Sequence, residues 1–181
     1  MKKMLTVLKH INKPRKLIKP LGHLGFFNFL PDKQYLKLIY RAELGKKLNL
    51  DNPQAFTEKL QWLKIYNRNP KFSTYVDKYL VRSHVSKTIG EEYLIPLIGV
   101  YNTVDQINWN ELPNQFAIKC NHGSGTNIIC KNKDSLDINE SKRKLKKWLK
   151  QNWYWFGREW PYKNVKPKII IEQLLTNENG D

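Results

Sequence analysis

At 181 residues, with 40% apolar content and 7 Phe, 6 Trp and 9 Tyr, the chain can form a packed domain that buries about 70% of its unfolded surface, which excludes a disordered tail. A formal net charge of +16 directs it toward phosphates, anionic lipid headgroups or acidic polymers, without choosing among them. Two cysteines exclude a disulfide framework and point to reduced thiols in a cytoplasmic protein, and no run approaches the roughly 18 apolar residues of a membrane span.

The charge is concentrated in two places. Residues 1–50 carry 12 Lys/Arg against Asp32 and Glu43, and residues 141–150 carry Lys142, Arg143, Lys144, Lys146, Lys147 and Lys150 without an acid. The start MKKMLTVLKHINKPRK imitates a signal peptide, but Lys9, His10 and Lys13 break its apolar stretch, so it reads as a retained, basic, helical N-terminal region spanning 1–50. Residues 18–30 set Leu21, Leu24, Phe26, Phe27, Phe29 and Leu30 beside basic neighbours. That mixture suits an anionic membrane surface, at about 1 kcal/mol per nearby Lys or Arg, and equally a helix docked on the rest of the protein.

Pro31-Asp32 opens a predicted helix with Tyr35, Leu36, Leu38, Ile39 and Leu44 as apolar positions and Gly45 near its end. After the Asn52-Pro53 turn, a second helix over 57–66 is expected to face Phe56, Leu60, Leu63 and Trp62 inward. A third over 72–87 carries Tyr75, Val76, Tyr79, Leu80 and Val85 and closes at Gly90. Residues 94–100 include Pro96, which suits an edge strand or a bend, and 105–112 read as a linker stopped by Pro113.

Beyond residue 131, Asn139 or Ser141 caps a helix expected to reach about Trp153, with Leu145, Trp148 and Leu149 inward and a solvated basic face. Trp153, Tyr154, Trp155, Phe156, Trp160 and Tyr162 then cluster as core or domain interface. In 168–175 the unbroken Ile169-Ile170-Ile171 marks a strand buried on both faces. Asn179-Gly180 reads as a hairpin turn without a return strand, so an open strand edge is predicted there.

The stretch with most chemistry is 116–131, FAIKCNHGSGTNIICK. Alternation in Phe116, Ile118 and Cys120 and the run 127–130 predict two strands bracketing a glycine loop. Gly123 and Gly125 free the backbone to aim successive N–H groups at an anion, and Lys119 adds a point charge just before them. Most glycine hairpins are only hairpins, and this spacing is neither the P-loop nor the dinucleotide pattern.

The segments DNPQAFTEKLQWLKIYNRNP, VDKYLVR, IKCNHGSG and REWPYKNVKPKIIIEQLL, in this order, resemble the TupA-like ATP-grasp proteins of teichuronopeptide biosynthesis, from about Leu30 onward. Such proteins are often labelled glycosyltransferases or polysaccharide-biosynthesis proteins of bacterial capsule and cell-envelope loci. The resemblance implies an α+β fold: a partial ATP-grasp domain over 51–181, the nucleotide-binding first half of the grasp. ATP-grasp enzymes typically activate a carboxylate as an acyl phosphate, which an amine attacks. Carried over residue by residue, it implies that Lys119 contacts the α- and β-phosphates of ATP. Asn121, His122, Gly123, Ser124, Gly125 and Thr126 would form the mobile loop over the β- and γ-phosphates. Glu172 would border the adenine pocket, with the backbone of Gln173, Leu174 and Leu175 on the purine edge. Asp77, Lys78 and Arg82 match an Asp-Lys-x-x-x-Arg helix assigned to substrate or lobe packing.

The family's Mg²⁺ ligands lie in the second half of the grasp, so this chain is expected to act as an inactive fragment, to need Mg²⁺ only with that half, and no catalytic residue is assigned. The expected substrates are the nucleotide and a sugar-acid or polysaccharide precursor, at the cytoplasmic face of the membrane. Sugar transfer is the alternative, without an Asp-x-Asp or Rossmann signature to carry it. Nucleic acid ranks last as a partner, because the basic residues form an arm and one helix face and no nucleic-acid module is present.

Overall fold

The structure is a computed structural model that describes residues 17, 18, 21, 22 and 24–176. The expectations for 1–16 and for the Asn179-Gly180 turn lie outside the described residues. Among the residues described from 32 onward the helices are, in chain order, α1 (Asp32–Leu44), α2 (Phe56–Tyr66), α3 (Lys71–Val76), α4 (Leu80–Ile89), α5 (Ile138–Leu149) and α6 (Tyr154–Gly157). The strands are β1 (Leu97–Tyr101), β2 (Phe116–Cys120), β3 (Asn127–Cys130) and β4 (Ile169–Gln173). Among the described residues no helix is long and apolar enough to cross a membrane. The chain divides into two compact units, Met1–Pro70 with Trp153–Lys163, and Lys71–Asn152 with Asn164–Asp181.

The first unit is helical. Asp32 suits the positive end of α1, and Gly45 stops the helix in the left-handed region at φ 70°, its N–H donating to the Arg41 carbonyl. Tyr35, Leu36 and Tyr40 form a small core with Leu48 and Leu50, while Leu44 lies outside it. α2 departs from expectation: none of its residues is buried, and Phe56 is 74% exposed. Polar contacts hold its first turn instead. Thr57 Oγ1 lies 2.9 Å from the Tyr40 hydroxyl, and the Glu58 carboxylate accepts backbone N–H bonds from Asn49, Gln54 and Ala55.

The aromatic segment of this unit surrounds a fully buried cation, Arg158, itself left-handed at φ 53°. Its guanidinium lies 4.6 Å from the Tyr35 ring centroid, 5.4 Å from Tyr154 and 4.5 Å from Trp155. Arg158 Nη2 donates to the carbonyls of Phe27 and Leu30, and its Nε stands 3.7 Å from Asp32 Oδ1. The Tyr154 hydroxyl donates to the same Asp32 oxygen, and burial, then that carboxylate, push the phenol up to about 12.

The second unit is built on one antiparallel sheet in the order β1-β4-β2-β3. β4 therefore lies in the centre, paired on both sides, which corrects the expected open edge. Its isoleucines are fully buried, and only a central strand removes both faces and both edges from water. The edge positions fall to β3 and to β1, and Pro96, expected within the 94–100 run, lies just before the strand.

Strand alternation gives the sheet two unlike faces. Phe116, Ile118, Cys120, Cys130, Ile169 and Ile171 pack with Leu145 of α5 in the core. Val104, Ile107, Trp109 and Leu112 join them from two short 3₁₀ turns, so the segment 105–112 is part of the core and not a linker. Ala117, Lys119, Ile170 and Glu172 occupy the other face. α5 is capped by Asp137, whose carboxylate accepts from Glu140 N–H, rather than by Asn139 or Ser141, and it ends at Leu149. The predicted single helix over 72–87 is two, α3 and α4. Asp77 Oδ1 accepts from the N–H groups of Tyr79 and Leu80 at 2.8 and 3.1 Å and restarts the helix. No side chain of α3 or α4 is fully buried.

Candidate functional site

Lys119 pairs with Asn127 on one side and Ile170 on the other, on the sheet face away from α5. Glu172 emerges on the same face. Lys119 Nζ lies 2.5 Å from Glu172 Oε2, and Arg82 Nη1 lies 3.2 Å from Glu172 Oε1. Arg82 Nη2 also donates to the Ile95 carbonyl at 2.7 Å. The Glu172 side chain is only 7% exposed, so its charge needs these partners. Lys78 adds a third cation, and burial holds its ammonium below the usual lysine range, helped by the like charge of Lys119. Lys78, Arg82 and Lys119 outnumber Glu172 and Asp77, which leaves this face positive.

The loop after Lys119 has a rigid root and a bare tip. Asn121 is fully buried: its Nδ2 donates to Asp77 Oδ2 at 2.9 Å and to the Lys166 carbonyl at 3.0 Å, and its Oδ1 accepts from Lys168 N–H at 2.7 Å. His122 Nδ1 lies 3.2 Å from the same Asn121 oxygen, and its Nε2 lies 3.1 Å from the Trp148 carbonyl. Burial lowers the His122 pKa, against the pull of the Trp148 and Gln151 backbone. Lys78 grips the loop twice, its ammonium donating to the Gly123 carbonyl and its backbone N–H to Asn121. Ser124 and Gly125 are exposed. Gly125 sits at φ +68° with nothing within 4 Å of where a Cβ would stand. At the loop's far end Thr126 is 5% exposed, and its buried Oγ1 has no hydrogen-bond partner.

The structure thus brings Lys119 and Glu172 into contact and gathers Asn121, His122, Gly123 and Thr126 at the loop. Gln173 and Leu174 lie elsewhere. They line a hollow of about 370 Å³ with Pro96, Ile98, Pro113 and Gln115, and the Gln173 N–H is taken by the Pro96 carbonyl at 3.0 Å. A larger hollow, about 780 Å³, adjoins Arg82 between α4 and β1 and includes Tyr79, Ser83, Lys87 and Leu97. Sequence reasoning passed over Lys78 as the fastener of the loop. The available signal was the adjacency of Asp77 and Lys78, a cap and a cation in one turn.

Helices on a four-stranded antiparallel sheet, with a lysine strand and a glycine loop opening from one end, define an α+β domain of ATP-grasp type. The TupA-like ATPgrasp family model matches residues 58–181, and the chain belongs to that family. No curated protein and no solved structure matches the chain.

ATP-grasp proteins generally use ATP and Mg²⁺. The residues present fit the phosphate end of a nucleotide: the Lys119 ammonium and the backbone N–H groups at the open tip around Gly125 are the donors an oxyanion takes, while the Thr126 hydroxyl is buried on the opposite face with Cys120. They do not make a Mg²⁺ site. Among the described residues no group of three or more His, Cys, Asp or Glu converges, and the Glu172 oxygens already answer Lys119 and Arg82.

Proposed function

We propose that this chain provides the phosphate-gripping part of an ATP-dependent carboxylate–amine ligase of bacterial surface-polysaccharide assembly, joining an amine or amino acid to a carboxylate of a sugar polymer. One observation carries the reading: Lys119 stands at the base of a glycine loop whose root is fixed and whose tip is bare. In this reading the Lys119 ammonium neutralises the phosphates, the loop N–H groups donate to their oxygens, and the fixed root limits the reorganisation binding requires. The bound nucleotide supplies a phosphoryl group that makes the carboxylate electrophilic. The basic residues of 1–30 hold the protein to an anionic membrane surface, beside the lipid-linked or polymeric acceptor.

The test is calorimetric binding of ATP with Mg²⁺ to the chain and to Lys119→Ala. Charge-assisted hydrogen bonds contribute roughly 1.5–3 kcal/mol, so affinity is expected to fall about 10- to 100-fold. Equal affinities remove Lys119 from the site. Consumption of a nucleotide-sugar with ATP untouched would transfer the reading to sugar transfer. Flotation with anionic vesicles, lost when 1–30 is deleted, checks the membrane attachment, and flotation unaffected by that deletion would refute it.

A further inference from the structure

Glu172 is an awkward neighbour for a lysine meant to hold phosphates, because its carboxylate already occupies the ammonium. The geometry around it is asymmetric. Its two oxygens serve different cations, Oε2 meeting Lys119 at 2.5 Å and Oε1 meeting Arg82 at 3.2 Å. The Lys119 side chain is 29% exposed on a flexible stem, whereas that of Arg82 is 15% exposed and tied a second time to the Ile95 carbonyl. Glu172 itself is fixed on the central strand. One cation is free to swing and the other is not.

Resting on the nucleotide reading above, we infer that Glu172 is a displaceable counter-ion of Lys119: its carboxylate holds the ammonium until a polyphosphate takes the ammonium over, and Arg82 then keeps Glu172 charge-compensated. A buried carboxylate stripped of its only cation would oppose that exchange strongly. The second contact, to Arg82, removes the obstacle. Glu172 is therefore a positioning residue that sets how tightly the site holds phosphate, by competing for the same ammonium. It also keeps Lys119 from being satisfied elsewhere on the surface.

The inference predicts a sign that a purely structural ion pair does not. Calorimetric titration of the whole chain with inorganic tripolyphosphate, without metal, should give Glu172→Gln an affinity about three- to tenfold tighter than the unaltered chain, because one competing charge has gone. The gain should vanish in Lys119→Ala/Glu172→Gln, since the two changes act through one contact. If Glu172→Gln binds equally or more weakly while Lys119→Ala binds more weakly, the counter-ion role is overturned and the phosphate role of Lys119 stands. If Lys119→Ala binds like the unaltered chain, both fall. Should Glu172→Gln fail to fold, the carboxyl carbon resonance of Glu172 in the ¹³C-labelled chain decides. It should move as tripolyphosphate is added, and a resonance stationary through saturation overturns the inference.

Discussion

Arg158 and Arg82 are both largely withdrawn from water, yet the company they keep differs. Arg158 sits among three aromatic rings and two carbonyls, and its Nε and Nη1 have no hydrogen-bond partner. Its one nearby carboxylate, Asp32, is already held by Arg68 and the Tyr154 hydroxyl, so Arg158 acts as a fixed pin for the first unit. Arg82 shares a carboxylate with a more exposed lysine, which leaves a contact that another anion can take. A buried cation answered by rings and carbonyls stiffens a fold. One answered by a shared carboxylate can serve a site.

The comparison breaks most visibly at Arg158. Replacing it by Ala should cost about 3 kcal/mol or more in urea unfolding, since it empties the space between the rings and leaves the Phe27 and Leu30 carbonyls unanswered. Arg158→Met, which refills the space without the charge, should lose clearly less; equal losses would show that charge, not packing, makes the pin. Next in size is Asp77→Ala, expected to cost about 2 kcal/mol because two helix N–H groups and the Asn121 amide lose their acceptor. A loss below about 0.5 kcal/mol would mean that the loop root stands without it.

The smallest effect concerns pH. Burial holds the His122 pKa below its ordinary 6.5. As pH falls through 6.5 the unfolded chain takes up a proton that the folded chain refuses. Stability should therefore be whole above about pH 6.5 and decline below it, until the folded imidazole is protonated too. Melting curves from pH 8 to 5 should show this slope in the unaltered chain and a shallower one in His122→Gln; identical slopes would remove His122 as its source.

Local signals were legible in the sequence. The glycine stop of α1, the hairpin of β2 and β3 and the isoleucine strand each depend on neighbours a few residues away, and each lies where its residues indicated. What escaped depends on distant partners. The break between α3 and α4 is made by Asp77, held by Asn121, 44 positions along. The contact that neutralises Glu172 spans 53 positions. The apolar spacing of α2 suggested a buried face that polar bonds in its first turn turn outward. The glycine loop was recognisable as a unit, but the division between its fixed root and its bare tip was not, because Lys166 and Lys168 supply half of that root.

The place of β4 has a consequence for how the molecule assembles during synthesis. It is the last of the four strands in chain order and the one between β1 and β2, with Leu97 of β1 set against Glu172. While a ribosome is still delivering the intervening segments, β1 and the β2–β3 hairpin have no strand to join them. The sheet must then close in one late step, around a strand that arrives after all its neighbours, and until that moment their apolar edges are the nascent chain's exposure to misassembly.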